Sequence, residues 1–160
     1  MVFEKQGSIY QLSATLKIPV GIDVAWEFLS NPANLKVITP DYMGFKIISE
    51  SDQSMYAGQI IAYKVSPLLG IDLNWVTEIT HVESLKYFVD EQRMGPYAMW
   101  HHKHFLKEIN GGTEMIDIIH YKLPLSIIAN RFHSILVKPK LKEIFDYRTK
   151  ALISKFGAFS

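Results

Sequence analysis

Between Tyr10 and Ile18 the chain alternates without a break: Tyr10, Leu12, Ala14, Leu16 and Ile18 are apolar, while Gln11, Ser13, Thr15 and Lys17 are polar. A repeat of two places one set on each face of a strand, and no helix can gather that pattern onto one side. Pro19 and Gly21 end the run. The middle of the chain continues in the same mode, with β-rich stretches over 45–49, 59–65, 73–80, 85–92, 98–108 and 114–123. Their breakers are Gly58, Ser66-Pro67, Gly70, Glu83-Ser84, Gly95-Pro96 and Asn110-Gly111-Gly112. Connections this short make hairpins, because a parallel crossover needs a dozen or more residues.

Helical signals flank this run. Asp23-Val-Ala-Trp-Glu-Phe-Leu29 carries an acidic residue near its start and an apolar stripe from Val24/Ala25 to Phe28/Leu29. Asn31-Pro32 restarts a short turn or helix over 33–38, which Pro40 closes. After Pro124 the period changes. Residues 125–136 read as a short helix or ordered turn, and Pro139 suits the first turn of a long helix. There Leu141, Ile144, Phe145, Arg148, Leu152 and Phe156 recur at helical spacing up to Gly157. The order is α+β: a curved antiparallel sheet of about seven strands, two short helices after the first strand, and a long C-terminal helix across the sheet. No linker or repeat interrupts it, and 160 residues suit one domain spanning 1–160.

Composition removes several function classes. Seventeen basic residues against 16 acidic leave a net charge of +1, without the basic excess of a general nucleic-acid binder. The chain has no cysteine, which excludes disulfides, thiol nucleophiles and Cys-ligated metals. No stretch approaches the ~20 apolar residues of an integral membrane span, and the N-terminus lacks an apolar leader, so a cytoplasmic location is expected. A Gly-rich phosphate loop and a Gly-x-Ser-x-Gly elbow are both missing.

Several stretches resemble one known group. Ala25-Trp26-Glu27-Phe28-Leu29 with Ile38-Thr39-Pro40, Phe88-Val89-Asp90-Glu91-Gln92, and Gly95-Pro96-Tyr97 with Trp100-His101-His102-Lys103-His104 carry the likeness. Tyr121-Lys122-Leu123-Pro124 and Phe145-Asp146-Tyr147-Arg148 complete it. Together with the element order, these resemble the START/Bet v 1-like (SRPBCC) superfamily over nearly the whole chain, within a bacterial group of ligand-binding members. The resemblance implies a helix-grip fold in which the sheet wraps the last helix and leaves a cavity between them. The superfamily includes lipid carriers, hormone receptors, polyketide cyclases and chaperone activators, so the fold alone names no reaction.

Strand parity then selects what faces that cavity. On 98–108, Lys103 and Lys107 put their set in water, so Trp100, His102, His104 and Leu106 face inward. A turn at Asn110-Gly111 sets His104 opposite Asp117, with Tyr121 on the same face. A turn near Gly95 sets Asp90 opposite Trp100 and Phe88 opposite His102. One at Glu83-Ser84 sets Thr77 opposite Asp90 and Trp75 opposite Gln92. Tyr63 and Val65 join from an earlier strand, and Phe145 and Arg148 point in from the final helix. The ligand-facing set is thus Tyr63, Trp75, Phe88, Asp90, Gln92, Trp100, His102, His104, Asp117, Tyr121, Phe145 and Arg148.

Aromatic and ionisable groups sharing a buried wall are unusual, because an unpaired buried charge costs several kcal/mol. Three readings of His102, His104 and Asp117 stay open. They form a structural hydrogen-bond network, or they recognise a ligand's polar head, or the two imidazoles and a carboxylate hold a metal. The third lacks a clear further ligand at this stage, so neither metal nor cofactor is expected. Arg148 is an ion-pair anchor or a clamp on a ligand carboxylate or phosphate. His101 and His120 have the opposite parity and face solvent. The resulting expectation is a protein that binds a small hydrophobic molecule (lipid-, polyketide- or isoprenoid-like), with a homodimer left open. The alternative is a cyclase or dehydratase that uses His102 or His104 as base with Asp117 behind it.

Overall fold

In the computed structural model of the chain, the described residues are 1–49, 54–66, 72–124 and 133–159. They build an eight-stranded sheet from β1 (Val2–Gln6), β2 (Ile9–Ile18), β3 (Lys46–Ile47), β4 (Ile60–Val65), β5 (Leu73–Glu83), β6 (Tyr87–Met94), β7 (Met99–Ile109) and β8 (Gly112–Lys122). Helix α1 (Ile22–Leu29) follows β2, then come 3₁₀ turns at Pro32–Lys36 and Asp41–Met43. A π-helical turn, His133–Val137, leads into the long helix α2 (Lys138–Phe156). None of these helices is long and apolar enough to cross a membrane.

The strand order is β1-β2-β8-β7-β6-β5-β4-β3, and every neighbouring pair is antiparallel. The alternation in Tyr10–Ile18 is realised as expected, with Tyr10, Leu12 and Ile18 buried. There is one strand more than the sequence pattern suggested. Val2–Gln6 pairs back onto β2 through a turn at Gly7, whose φ of +60° is the left-handed conformation that glycine accepts without strain. β1 shows little alternation because it is largely exposed. The predicted helix or turn over 125–136 lies outside the described residues as far as residue 132. From His133 on, it is the π-helical turn that runs directly into α2.

Asn31 begins the first 3₁₀ turn as its N-cap: its side-chain Oδ1 accepts from Ala33 N at 3.0 Å, and Pro32 sits at the first position. α2 buries one stripe, Leu141, Phe145, Arg148 and Leu152, as its periodicity requires. Two apolar clusters hold it to the sheet. One gathers Tyr10, Leu12, Ile119 and Tyr121 around Leu141 and Phe145; the other gathers Ile18, Phe28, Leu106 and Met115 around Leu152. The space between these clusters is where the site lies.

Candidate functional site

β7 brings His102 and His104 to one face, two residues apart, as parity demands. The register then sets the carboxylates. Asp90 of β6 pairs across from His102, and Asp117 of β8 pairs across from His104. The expected pairing of His104 with Asp117 is present. The other two registers differ by about two residues: Phe88 faces His104, Thr77 faces Gln92 and Ile79 faces Asp90. The reasons are local. The β6–β7 pairing ends at Glu91 and His101, and within the wide connection Gln92 donates to Tyr97 O (2.7 Å) and accepts from Tyr97 N (3.2 Å). The β5–β6 turn places Leu85 at φ +64°, and a bulge interrupts the ladder between Ile79 and His81. Because both shifts are even, the inward face is preserved.

The four polar side chains interlock. His102 Nε2–H donates to Asp117 Oδ1 at 3.0 Å, and His104 Nε2–H donates to Asp90 Oδ2 at 2.8 Å. His104 Nδ1 is also 2.8 Å from Asp117 Oδ1, but without hydrogen-bond alignment, so this is a charge contact. His102 Nδ1 stands 3.5 Å from Asp90 Oδ2. From α2, Arg148 Nη2 reaches Asp117 Oδ1 at 3.3 Å, while its Nε is buried without a partner. The two imidazole centroids are 3.7 Å apart, and Phe88 stacks on His104 at 4.1 Å.

Burial and charge divide the protonation states. Burial pushes the Asp117 carboxyl upward, but Arg148, the His102 hydrogen bond and the close approach of His104 outweigh it and hold it well below the usual range. Asp90 behaves alike: burial is opposed by the His104 hydrogen bond and by nearby cations, and its pKa is lowered. Burial, together with the charge on His104, pushes His102 down to about 4. His104 goes the other way, since burial is more than offset by its close contacts with the Asp117 and Asp90 carboxylates. The same environment therefore drives the two histidines apart, His104 toward its protonated form and His102 toward its neutral one.

A cavity of about 200 Å³ adjoins this cluster between the sheet, the 3₁₀ turns and α2. Of the residues expected to face it, Tyr63, Trp75, Phe88, Asp90, Trp100, His102, His104, Phe145 and Arg148 line it. Gln92, Asp117 and Tyr121 do not. Gln92 staples the β6–β7 turn, and Asp117 stands behind the histidines. Tyr121 is fully buried and hydrogen-bonds His133 Nε2 at 2.7 Å. The cavity also takes in Leu35, Ile38, Met43, Ile79 and Tyr97. The first two lie on an apolar stripe readable in 33–38. Tyr97 sits in a turn and carries no periodic signal. Tyr63 Oη and Thr77 Oγ1 bond each other at 3.0 Å, and Tyr63 stacks on Trp75 at 6.0 Å, which completes one aromatic wall. On the outer face His101 and His120 pair across β7 and β8, and His101 Nδ1 meets Glu91 at 2.8 Å.

No family model and no curated protein matches the sequence. Solved structures do match. Protein Ms6760 from Mycobacterium smegmatis is 14% identical, with a TM-score of 0.67, over 97% of this chain and 98% of that one. Ara h 8.0201 is 12% identical at TM-score 0.58 over 91% of this chain and 99% of its own. The di-domain ARO/CYC BexL from the BE-7585A biosynthetic pathway is 12% identical at TM-score 0.65 over 91% of this chain, which spans 50% of that protein. At such identities the likeness is one of architecture, and it shows that the chain has a Bet v 1-like helix-grip fold.

Proposed function

We propose that the protein binds a small, mainly hydrophobic molecule of lipid, polyketide or isoprenoid type between the sheet and α2. The observation that carries this reading is the cavity itself, apolar over most of its wall and closed at one side by Asp90, His102, His104 and Arg148. A largely apolar concavity with a few converging polar groups is the usual anatomy of a small-molecule site. Its volume of about 200 Å³ is below the roughly 300–1,000 Å³ of sites for drug-sized ligands, which favours a compact occupant. The aromatic walls supply affinity through burial at roughly 25 cal/mol per Å², and the polar cluster orients the ligand's polar end.

Native mass spectrometry of freshly purified protein, with tryptophan fluorescence during titration by hydrophobic probes, tests this. Trp75 and Trp100 line the cavity, so occupancy changes their emission. A retained organic adduct, or saturable quenching lost in a Phe145→Trp variant that fills the space, supports the reading. An empty protein that responds to no probe refutes it.

The enzyme reading has its own observation: two histidines stand side by side on the cavity wall, and their surroundings push His102 down to about 4 and His104 up, which suits the acid–base pairing that a cyclase or dehydratase uses. If a turned-over substrate is found, His104→Ala removes turnover in an enzyme and only weakens affinity in a binder.

A further inference from the structure

Three donor atoms face one another at the polar end of the cavity. Asp117 takes the Nε2–H of His102, so the Nδ1 lone pair of His102 is directed at Asp90 Oδ2, 3.5 Å away. A lone pair facing a carboxylate oxygen is a repulsive contact unless a cation lies between them. His104 Nε2 approaches the same oxygen at 2.8 Å through an N–H whose proton a bound cation displaces, and one ligand atom from each of the three residues lies within 4.8 Å of the other two. We infer that Asp90, His102 and His104 form a binding site for a divalent transition-metal ion of the zinc or iron(II) class.

The spacing fits such an ion. Metal–ligand bonds of ~2.0–2.2 Å leave neighbouring donors roughly 3–3.5 Å apart in tetrahedral or octahedral geometry. The observed 2.8 and 3.5 Å to Asp90 Oδ2 bracket that range, and the two imidazole nitrogens, within 4.8 Å of each other, close around the ion by side-chain rotation. Two imidazoles and one carboxylate select zinc, iron or their neighbours and disfavour magnesium and calcium, which take oxygen ligands.

The surrounding groups support both histidines as ligands. Asp117 Oδ1 lies 3.0 Å from His102 Nε2 and 2.8 Å from His104 Nδ1, the two nitrogens turned away from Asp90. Asp117 thus holds His102 in the tautomer that points a lone pair at the ion and lies close enough to His104 Nδ1 to do the same once that ring realigns, and Arg148 anchors it at 3.3 Å. All three ligands border the cavity, so the remaining coordination positions open onto it. With both imidazoles neutral, Asp90, Asp117 and Arg148 sum to one negative charge, and a divalent ion turns this to one positive charge. An oxygen anion is therefore the favoured additional ligand. The metal site shares Asp90, His102 and His104 with the ligand site proposed above, but it is tested with the metal ion alone, so failure of either reading leaves the other standing.

The test uses chelator-treated full-length protein titrated with Zn²⁺ by calorimetry and with Co²⁺ by visible absorption, in excess Mg²⁺. One ion per chain, coordinated Co²⁺ bands and a raised melting temperature are expected. Asp90→Asn and His104→Ala should abolish binding. Asp117→Asn, a positioning variant, should weaken it about 10–100-fold while the number of sites stays at one. The surface pair provides the control: His101→Ala and His120→Ala should leave binding unchanged. In the unmodified protein, Co²⁺ should shift or broaden the imidazole resonances of His102 and His104, which needs no folded variant. Absence of binding, binding displaced by Mg²⁺, or loss of binding through His101 or His120 overturns the assignment.

Discussion

Replacing Arg148 with methionine keeps most of the side-chain volume on α2 and removes only the cation. Arg148 and Asp117 are both about nine-tenths buried, with side-chain exposures of 11% and 10%. Removing one member of a buried pair leaves an uncompensated charge and costs about 3–5 kcal/mol. Asp117 would keep its hydrogen bond from His102 and its contact with His104, so the low end, ~3 kcal/mol, applies. An unfolding entropy of about 2.1 cal/mol/K per residue over 160 residues gives ~0.34 kcal/mol/K, which converts that loss to ~9 °C in Tm. The pH dependence has a definite sign. The folded pKa of Asp117 lies below its unfolded value of about 3.9, so the stability it contributes is present above that value and drains away as pH falls through the folded one. The Arg148→Met penalty should therefore be full between pH 6 and 8 and shrink below about pH 4. Thermal and urea melts across that range provide the assay, with Arg93→Met as control. Arg93 forms exposed pairs with Glu78 and Glu91, so its loss should stay within about 1 kcal/mol. A penalty for Arg148→Met no larger than that of Arg93→Met, or one constant down to acid pH, would refute the reasoning.

Further predictions concern the histidines and the frame. In a pH titration followed by imidazole NMR, His104 should titrate above the ordinary histidine value and His102 only near 4. Their effects on stability oppose each other. His104 stabilises below its unfolded pKa of about 6.5 and stops doing so as pH rises through its folded value; His102 stabilises above about 6.5 and stops as pH falls toward 4. Tyr121→Phe strands His133 Nε2 in the core and should lower stability by about 1–3 kcal/mol in urea melts. Gly112→Ala would place a methyl 2.1 Å from Ile18 O and should cost about 1–3 kcal/mol, whereas Gly21→Ala meets nothing within 4 Å and should be neutral or slightly stabilising. Equal effects at the two glycines would contradict the packing described at the β2–β8 seam.

Most of the frame was readable because it rests on periods. The two-residue repeat of Tyr10–Ile18 and the helical repeat of Leu141, Phe145, Arg148 and Leu152 each define a buried face without reference to distant residues. Parity carried further, to the chemistry. Lys103 and Lys107 assigned one face of β7 to water, which left His102 and His104 inside, and the Asn110-Gly111 hairpin set Asp117 against them. Val2–Gln6 escaped notice because an exposed strand has no reason to alternate. His133 escaped because a single histidine after a proline-bounded stretch offers no repeat.

What the chain dictates locally is which side chains share a surface, since that follows from backbone geometry within each element. Which of them meet is a different matter. Asp90 stands beside His102 and not Trp100, in a register that accompanies the Gln92–Tyr97 brace of the next turn, and Asp117 stands behind the histidines, where it meets Arg148 of α2. Those outcomes are set by packing among segments far apart in sequence, where a shift of two residues conserves every buried face and yet changes each partner.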